Sequence, residues 1–351
     1  APAAAAAVPA GGTAARRLDH NLVQVAAPQA WRSGYTGQGV RVAVLDTGAD
    51  FNHPDLVGQV VARADFSTEG GDATDRNGHG THVASLIAGT GAAARGERRG
   101  VAPDADLLIG KVLGDDGFGS ESQVIAGMEW AAPQADVVNM SLGGDEPSDG
   151  TDPMSLALDA LSRQHGTLFV VAAGNDGTSW PITAPAAAAS ALTVGAVDDQ
   201  DRLADFSSRG PLVGSRAAKP ELVAPGVEIL GARAAGTTIG RPLDARYIAA
   251  SGTSMAAPHV AGAAALLAQR HPDWSGEQIK AALLGAAEPL PGADAYDVGA
   301  GRLHAARALS GAVAGQDVVD LGEIDPAGEP VETELSWTNT GSATAGLRLD
   351  V

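Results

Sequence analysis

Five stretches of the chain are apolar almost without interruption: V-R-V-A-V-L from Val40, D-L-L-I-G-K-V-L from Asp106, A-D-V-V-N-M-S-L from Ala135, T-L-F-V-V-A-A from Thr167 and A-L-T-V-G-A-V from Ala191. A strand with one face in water alternates apolar and polar residues, whereas these runs do not, so they predict strands buried on both faces of a parallel sheet. Between them lie helix-like segments at 80–88, 121–132 and 155–165. Strand alternating with helix predicts a doubly wound, mainly parallel α/β sheet flanked by helices, with functional residues at the carboxyl ends of the strands.

The pattern changes at both ends. The opening A-P-A-A-A-A-A-V-P-A-G-G-T-A-A is rich in Ala, Pro and Gly, and residues 1–21 are expected to be a linker or propeptide remnant. Beyond Gly311 apolar and polar residues alternate around Pro, Gly and N-T-G turns, which predicts antiparallel strands. Some forty residues cannot close a β-sandwich. Residues 313–351 are therefore expected to be the start of a truncated β-rich domain, after a main domain over 22–312.

Composition narrows the function. A formal net charge of −19 argues against a nucleic-acid partner or an anionic membrane surface. No apolar run is long enough to span a bilayer. The chain has no cysteine, which excludes disulfides, thiol catalysis and cysteine-ligated zinc.

Four polar residues stand where those strands and helices end or begin. Asp46 closes the first run in V-A-V-L-D-T-G; alone it reads as a turn cap, and D-T-G also suits an aspartic protease, but that chemistry needs a second such motif and there is none. His79, flanked by Gly78 and Gly80 in N-G-H-G-T-H, opens a helix, with His82 one turn later. No H-E-x-x-H pattern accompanies the pair to suggest zinc. Asn175 follows another strand in A-A-G-N and is either a turn residue or an amide donor for a developing oxyanion. Ser254 begins an apolar helix in G-T-S-M-A-A-P-H and is either a cap or a nucleophile. A serine needs a base to take its proton, and the base a carboxylate to hold its tautomer. Asp46, His79 and Ser254 supply these in chain order, the order of subtilisin.

The blocks A-V-L-D-T-G, H-G-T-H-V-A, N-M-S-L-G-G, A-A-G-N and G-T-S-M-A-A-P-H together resemble the subtilisin-like serine proteases (subtilases) over most of the chain. F-S-S-R-G-P, K-P-E-L-V-A-P-G and the acidic, Ala-rich composition are similar to secreted actinobacterial members. The resemblance implies a subtilisin-like catalytic domain over 22–312. It implies Asp46 as the orienting acid, His79 as base and then acid, Ser254 as nucleophile, and Asn175 with the Ser254 N–H as oxyanion hole. His82 is implied to be a structural neighbour. Ser141, Leu142, Gly143 and Gly144 would wall the pocket for the side chain before the scissile bond. Ala173, Gly174 and the loop W-P-I-T-A-P, with Thr183, would form its base, Ile182 would join Leu142 and Gly143 in its walls, and the Ala184–Pro185 bond would be cis.

Gly117, Phe118 and Gly119 would offer a strand edge to an extended peptide, with Phe118 over an apolar subsite. Thr183 stands where relatives often have glycine and would shorten the pocket, favouring an apolar or medium-sized side chain. Catalysis needs no cofactor. Of the family's calcium ligands Asp55 is present, but the loop T-G-A-A-A-R-G-E-R-R-G carries three arginines and no Asn or Asp, which argues against calcium there. Glu221 stands at a weaker cation site of relatives, and Asp65, Asp72 and Asp75 read as solvated surface charge. The expectation is a secreted serine endopeptidase, made as a zymogen whose cleaved prodomain acts as inhibitor and chaperone, with protein or peptide substrates. A protease dedicated to one precursor, a non-catalytic binding protein and an esterase are the alternatives, although the esterase motif G-x-S-x-G is absent around Ser254.

Overall fold

The computed structural model describes residues 19–67, 71–177, 181–311 and 313–315, together with 332, 334, 336–339, 344 and 346. Two short helices, α1 (His20–Gln24) and α2 (Ala27–Arg32), precede β1 (Arg41–Asp46). There follow β2 (Val60–Asp65), α3 (His79–Ala88), β3 (Asp106–Lys111), α4 (Glu121–Ala131), β4 (Val137–Met140), α5 (Pro153–His165), β5 (Leu168–Ala172), β6 (Leu192–Val197) and β7 (Leu222–Pro225). The seven strands form one parallel sheet in the order β2-β3-β1-β4-β5-β6-β7. The five apolar runs are five of these strands. β2 escaped the apolar pattern because it is an edge strand, half-exposed along its length, and β7 because its apolar run L-V-A-P is short and closes on a proline.

Alternate residues of each strand feed opposite layers. Val42 and Val44 of β1 face one core with α3, while Ala43 and Leu45 face the other with Val124 and Met128 of α4 and Leu158 of α5. The period of two along a pleated strand, with helices on both faces, explains why 42–45 contain no polar position. β3 and β4 flank β1 on opposite sides, so the chain reverses its direction of travel across the sheet there. Carboxyl ends of strands at such a reversal open into a crevice.

A small antiparallel sheet, in the order β8-β10-β9, comprises β8 (Ile229–Ala232), β9 (Arg241–Pro242) and β10 (Tyr247–Ala250). β10 feeds α6 (Thr253–Arg270), whose residues are buried on every side from Met255 to Ala268; α7 (Gly276–Gly285) follows. A helix that is apolar all round belongs in the interior. Asn21 of α1, itself buried, reaches it and donates to His259 Nε2 at 2.7 Å, while His259 Nδ1 donates to the Met255 carbonyl at 2.8 Å. Ordered structure thus includes His20 and Asn21. Burial pushes His259 down to about 4, so the ring is neutral and this division of donor and acceptor is fixed.

At the far end β11 (Val313–Gly315) pairs antiparallel with β12 (Trp337–Asn339). Most of the rest of 313–351, like residues 1–18, lies outside the described residues. Among the described residues no helix is long and apolar enough to cross a membrane.

Candidate active site

Asp46 ends β1 and is completely buried. Its Oδ1 accepts from the Thr47 N–H at 2.7 Å. His79 opens α3, and its Nδ1 lies 2.8 Å from Oδ1 and 3.0 Å from Oδ2 of Asp46. A carboxylate only accepts, so Nδ1 carries the proton and Nε2 presents its lone pair. Burial alone would lower the His79 pKa, but the charge and hydrogen bond of Asp46, with the charge of Asp75, outweigh it and hold the pKa above its ordinary value. Gly80 makes the approach possible. A Cβ there would sit 2.2 Å from the Gly48 carbonyl and 3.1 Å from Asp46 Oδ1.

Asp75 corrects the expectation of a solvated acidic loop, because it is only 4% exposed. Its Oδ1 accepts from Thr47 Oγ1 (3.0 Å), Asn77 N (3.0 Å) and Gly78 N (2.7 Å), and its Oδ2 from Thr81 N (2.9 Å) and Thr81 Oγ1 (2.5 Å). Thr47 Oγ1 in turn accepts from Gly80 N at 2.9 Å. One carboxylate therefore ties the turn after Asp46 to the loop and first turn that carry His79. The signal was present in D-R-N-G, the composition of an Asx-type turn. His82 is buried with Nε2 donating to the Ile229 carbonyl at 3.1 Å. Burial, then His79, pushes it down to about 4, and it stays neutral.

Ser254 lies in the first turn of α6. Pro258 has no N–H to offer the Ser254 carbonyl four residues back. The Ser141 hydroxyl, just beyond β4, donates to that carbonyl at 2.9 Å instead, and the Ser254 hydroxyl donates to the Ser141 carbonyl at 3.2 Å. The Ser254 proton thus goes to Ser141 rather than to His79 in this arrangement. Asn139 Nδ2 donates to Ser141 Oγ at 3.1 Å and completes the chain. Ser251 is exposed and accepts from the Glu228 N–H at 2.9 Å, away from this network.

Asn175 follows β5. Its Oδ1 accepts from the Thr253 N–H at 2.8 Å and the Thr253 hydroxyl at 3.0 Å, beside Ser254. With the oxygen so held, Nδ2 is the end left over, and it has no hydrogen-bond partner among the described residues.

The pocket segments also meet. Gly144 N donates to the Ala184 carbonyl at 2.7 Å, and Pro147 bridges Thr183, so 141–147 and 182–185 run side by side. Ile182 and Ala173 are buried, and Leu142 is half-buried. A Cβ on Gly143 would lie 3.0 Å from Thr183 Oγ1, which places that hydroxyl against the wall segment. Gly174 has φ +108°, and the Ala184–Pro185 bond is cis. Trp180 lies outside the described residues. Gly117, Phe118 and Gly119 lie in a turn closed by Gly114 N donating to the Phe118 carbonyl at 2.7 Å, and the Phe118 side chain is 76% exposed.

Neither candidate metal ligand fits a metal ion. Asp55 is buried, with Oδ1 accepting from Ala93 N at 2.8 Å and Oδ2 from the Tyr247 hydroxyl at 2.7 Å. Glu221 accepts from Thr193 N at 2.6 Å on one oxygen and from Lys219 and Lys280 on the other, at 2.6 and 2.7 Å. The oxygens a cation would need are already taken by protein donors.

A parallel α/β sheet with an Asp–His pair, a helix-borne serine and an amide at its carboxyl edge is the architecture of a serine hydrolase. The model described as "Subtilase family" matches residues 37–310. Serine protease AprX of Bacillus subtilis (strain 168) is 37% identical over 300 residues, covering 79% of this chain and 67% of that protein. Subtilisin BL of Lederbergia lenta is 41% identical over 286 residues, covering 81% and 97%. The crystal structure of a cold adapted subtilisin-like serine proteinase superimposes with a TM-score of 0.64 at 35% identity, over 77% of this chain and 90% of that one. The chain belongs to the subtilase family, and it is a serine protease, a hydrolase acting on protein.

Proposed function

We propose that the chain is a secreted endopeptidase that cleaves peptide bonds through an acyl-enzyme on Ser254. The observation that carries this is the Asp46–His79 pair, which leaves Nε2 of the neutral ring unprotonated in a part-buried site beside the helix of Ser254. The Ser254 hydroxyl turns from the Ser141 carbonyl to His79 Nε2, which takes its proton as Oγ attacks the substrate carbonyl. The oxyanion forms against Asn175 Nδ2 and the Ser254 N–H, a donor that the start of α6 leaves without an intrahelical partner. His79 then gives the proton to the leaving amine. Water repeats the sequence and releases the acid. No metal or cofactor takes part. Secretion, and a prodomain that inhibits and assists folding before its removal, follow from the family resemblance.

Asn175→Ala is expected to lower kcat about 10²–10³-fold with little change in KM, because its amide meets charge that exists only in the transition state; that magnitude is the one known for the equivalent donor of subtilisin. An equal loss through KM would show ordinary substrate binding instead.

The substrate preference rests on Thr183. Its side chain lies against Gly143 where glycine would leave space, so the pocket should take an apolar residue of medium size before the scissile bond. Phe118 is placed to cover a further apolar subsite. The test is a cleavage-site profile on a peptide mixture. Thr183→Gly should raise the preference for Phe over Ala at that position about tenfold, a difference of a few methylene groups in an apolar pocket. An unchanged profile would remove Thr183 from the pocket.

A further inference from the structure

The segment that follows the pocket base, 186–191, turns its carbonyls inward on two lysines. Lys219 Nζ donates to the Ala188 and Ala191 carbonyls, each at 3.0 Å, and to Glu221 Oε1 at 2.6 Å. Lys280 Nζ, from α7, donates to the Ala191 carbonyl at 2.7 Å, the Ala189 carbonyl at 3.3 Å and the same Glu221 oxygen at 2.7 Å. The Lys219 side chain is 4% exposed, that of Glu221 14% and that of Lys280 17%. Thr193 seals the floor, its N–H on Glu221 Oε2 at 2.6 Å and its hydroxyl on the Ala186 carbonyl at 2.6 Å.

Three main-chain carbonyls and a carboxylate, with no nitrogen among them, are the donor set of a hard cation. An ammonium group satisfies the same oxygens by donating to them, and being tethered it cannot dissociate. We propose that Lys219 and Lys280 are a built-in cation: their ammonium groups fill an oxygen cage made by Ala188, Ala189, Ala191 and Glu221, and removing both turns that cage into a binding site for a small alkali cation. The cage holds the segment that leads out of the pocket base, so the fold around the substrate pocket needs no ion from solution there. Burial would raise the Glu221 carboxyl, but Lys219 and Lys280 outweigh it and keep it below its ordinary value, charged as the cage requires.

The test is thermal melting of the full chain, carrying Ser254→Ala so that it does not digest itself. Choline, sodium, potassium and calcium chlorides are compared at one ionic strength. Slightly acidic buffer keeps the proton on Lys219, which burial pushes down to about 8. The parent should melt at the same temperature in all four salts. Lys219→Met with Lys280→Met should melt about 5 °C or more lower in choline chloride, because Glu221 and the carbonyls lose their partners, and should recover saturably as sodium or potassium is added. Lys219→Met alone should show the same dependence more weakly, since Lys280 still neutralises Glu221. Recovery with calcium alone would identify a divalent site and overturn the alkali-cation assignment. A double variant that melts equally low in every salt, or stays unfolded in all of them, would show lysines that merely support the fold. A parent whose melting itself rises with alkali ions would show that the cage is not filled. Each of these last outcomes overturns the proposal, and none depends on catalysis.

Discussion

Ser254→Ala is expected to lower kcat about a million-fold while leaving KM within a small factor, the magnitude known for loss of the triad serine in subtilisin. Among the described residues no second hydroxyl stands ready to replace it. Ser251, three residues earlier, is exposed and held by the Glu228 N–H, and the Ser141 hydroxyl is committed to the Ser254 carbonyl. The variant should fold. It gives up one hydrogen bond, from Ser254 Oγ to the Ser141 carbonyl, worth on the order of 1 kcal/mol, while the reverse bond from Ser141 remains. A serine-directed phosphonyl or sulfonyl fluoride should label the parent once, on the peptide containing Ser254, and leave the variant unlabelled. Peptidase activity surviving in the variant at more than a trace would end the assignment.

Asp46→Asn should lower kcat about 10⁴-fold, an effect of tautomer rather than of charge alone. The Thr47 N–H donates to Oδ1 of Asp46 and would keep an oxygen in that place. That oxygen would stay 2.8 Å from His79 Nδ1, but the amide nitrogen would take the place of Oδ2, 3.0 Å from Nδ1, where it donates to an unprotonated Nδ1 and repels an Nδ1–H. His79 would shift its proton to Nε2, where it can no longer accept from Ser254. The pH profile gives a second readout. His79 must be neutral to act as base, and Asp46 raises its pKa, so kcat/KM of the parent should fall as pH drops through a value above the ordinary histidine range. In Asp46→Asn the lowering by burial is opposed only by the charge of Asp75, and the acid limb should move to lower pH. A profile that does not move would mean that some other group sets it.

Much of this could be read from the chain because its signals are local. A strand buried on both faces has no polar face, so β1, β3, β4, β5 and β6 appear as almost unbroken apolar runs, interrupted by buried polar residues such as Asn139 and Thr193 that find hydrogen-bond partners. Edge strand β2 does not, since none of its residues is fully buried and a mixed pattern fits a loop equally well. Helix starts were placed to within a residue or two; Asp152, which caps α5 by accepting from Ser155 N at 2.9 Å, moves its start to Pro153. The blocks around Asp46, His79, Asn175 and Ser254 were conspicuous because glycines at close approaches, such as Gly80, leave few alternatives.

What escaped was every role that depends on a distant partner. Asp75 looked like one of several surface carboxylates until the fold brought Thr47, 28 residues away in sequence, to its side. Pro258 could be read as freeing the Ser254 carbonyl, but not that Ser141, 113 residues away, takes it up. Asp55 and Glu221 were the right residue type for a cation, and only packing showed their oxygens already engaged by Tyr247, 192 residues on, and by Lys280, 59 residues on.

The sequence by itself determined the strand and helix alternation, the layers and the residues able to do chemistry, because burial periodicity and close-approach glycines act over a few neighbouring positions. The tertiary structure alone decided which lone pairs and protons meet. A hydrogen bond is a matter of tenths of an ångström between groups that the chain carries far apart, and only packing brings them to that distance.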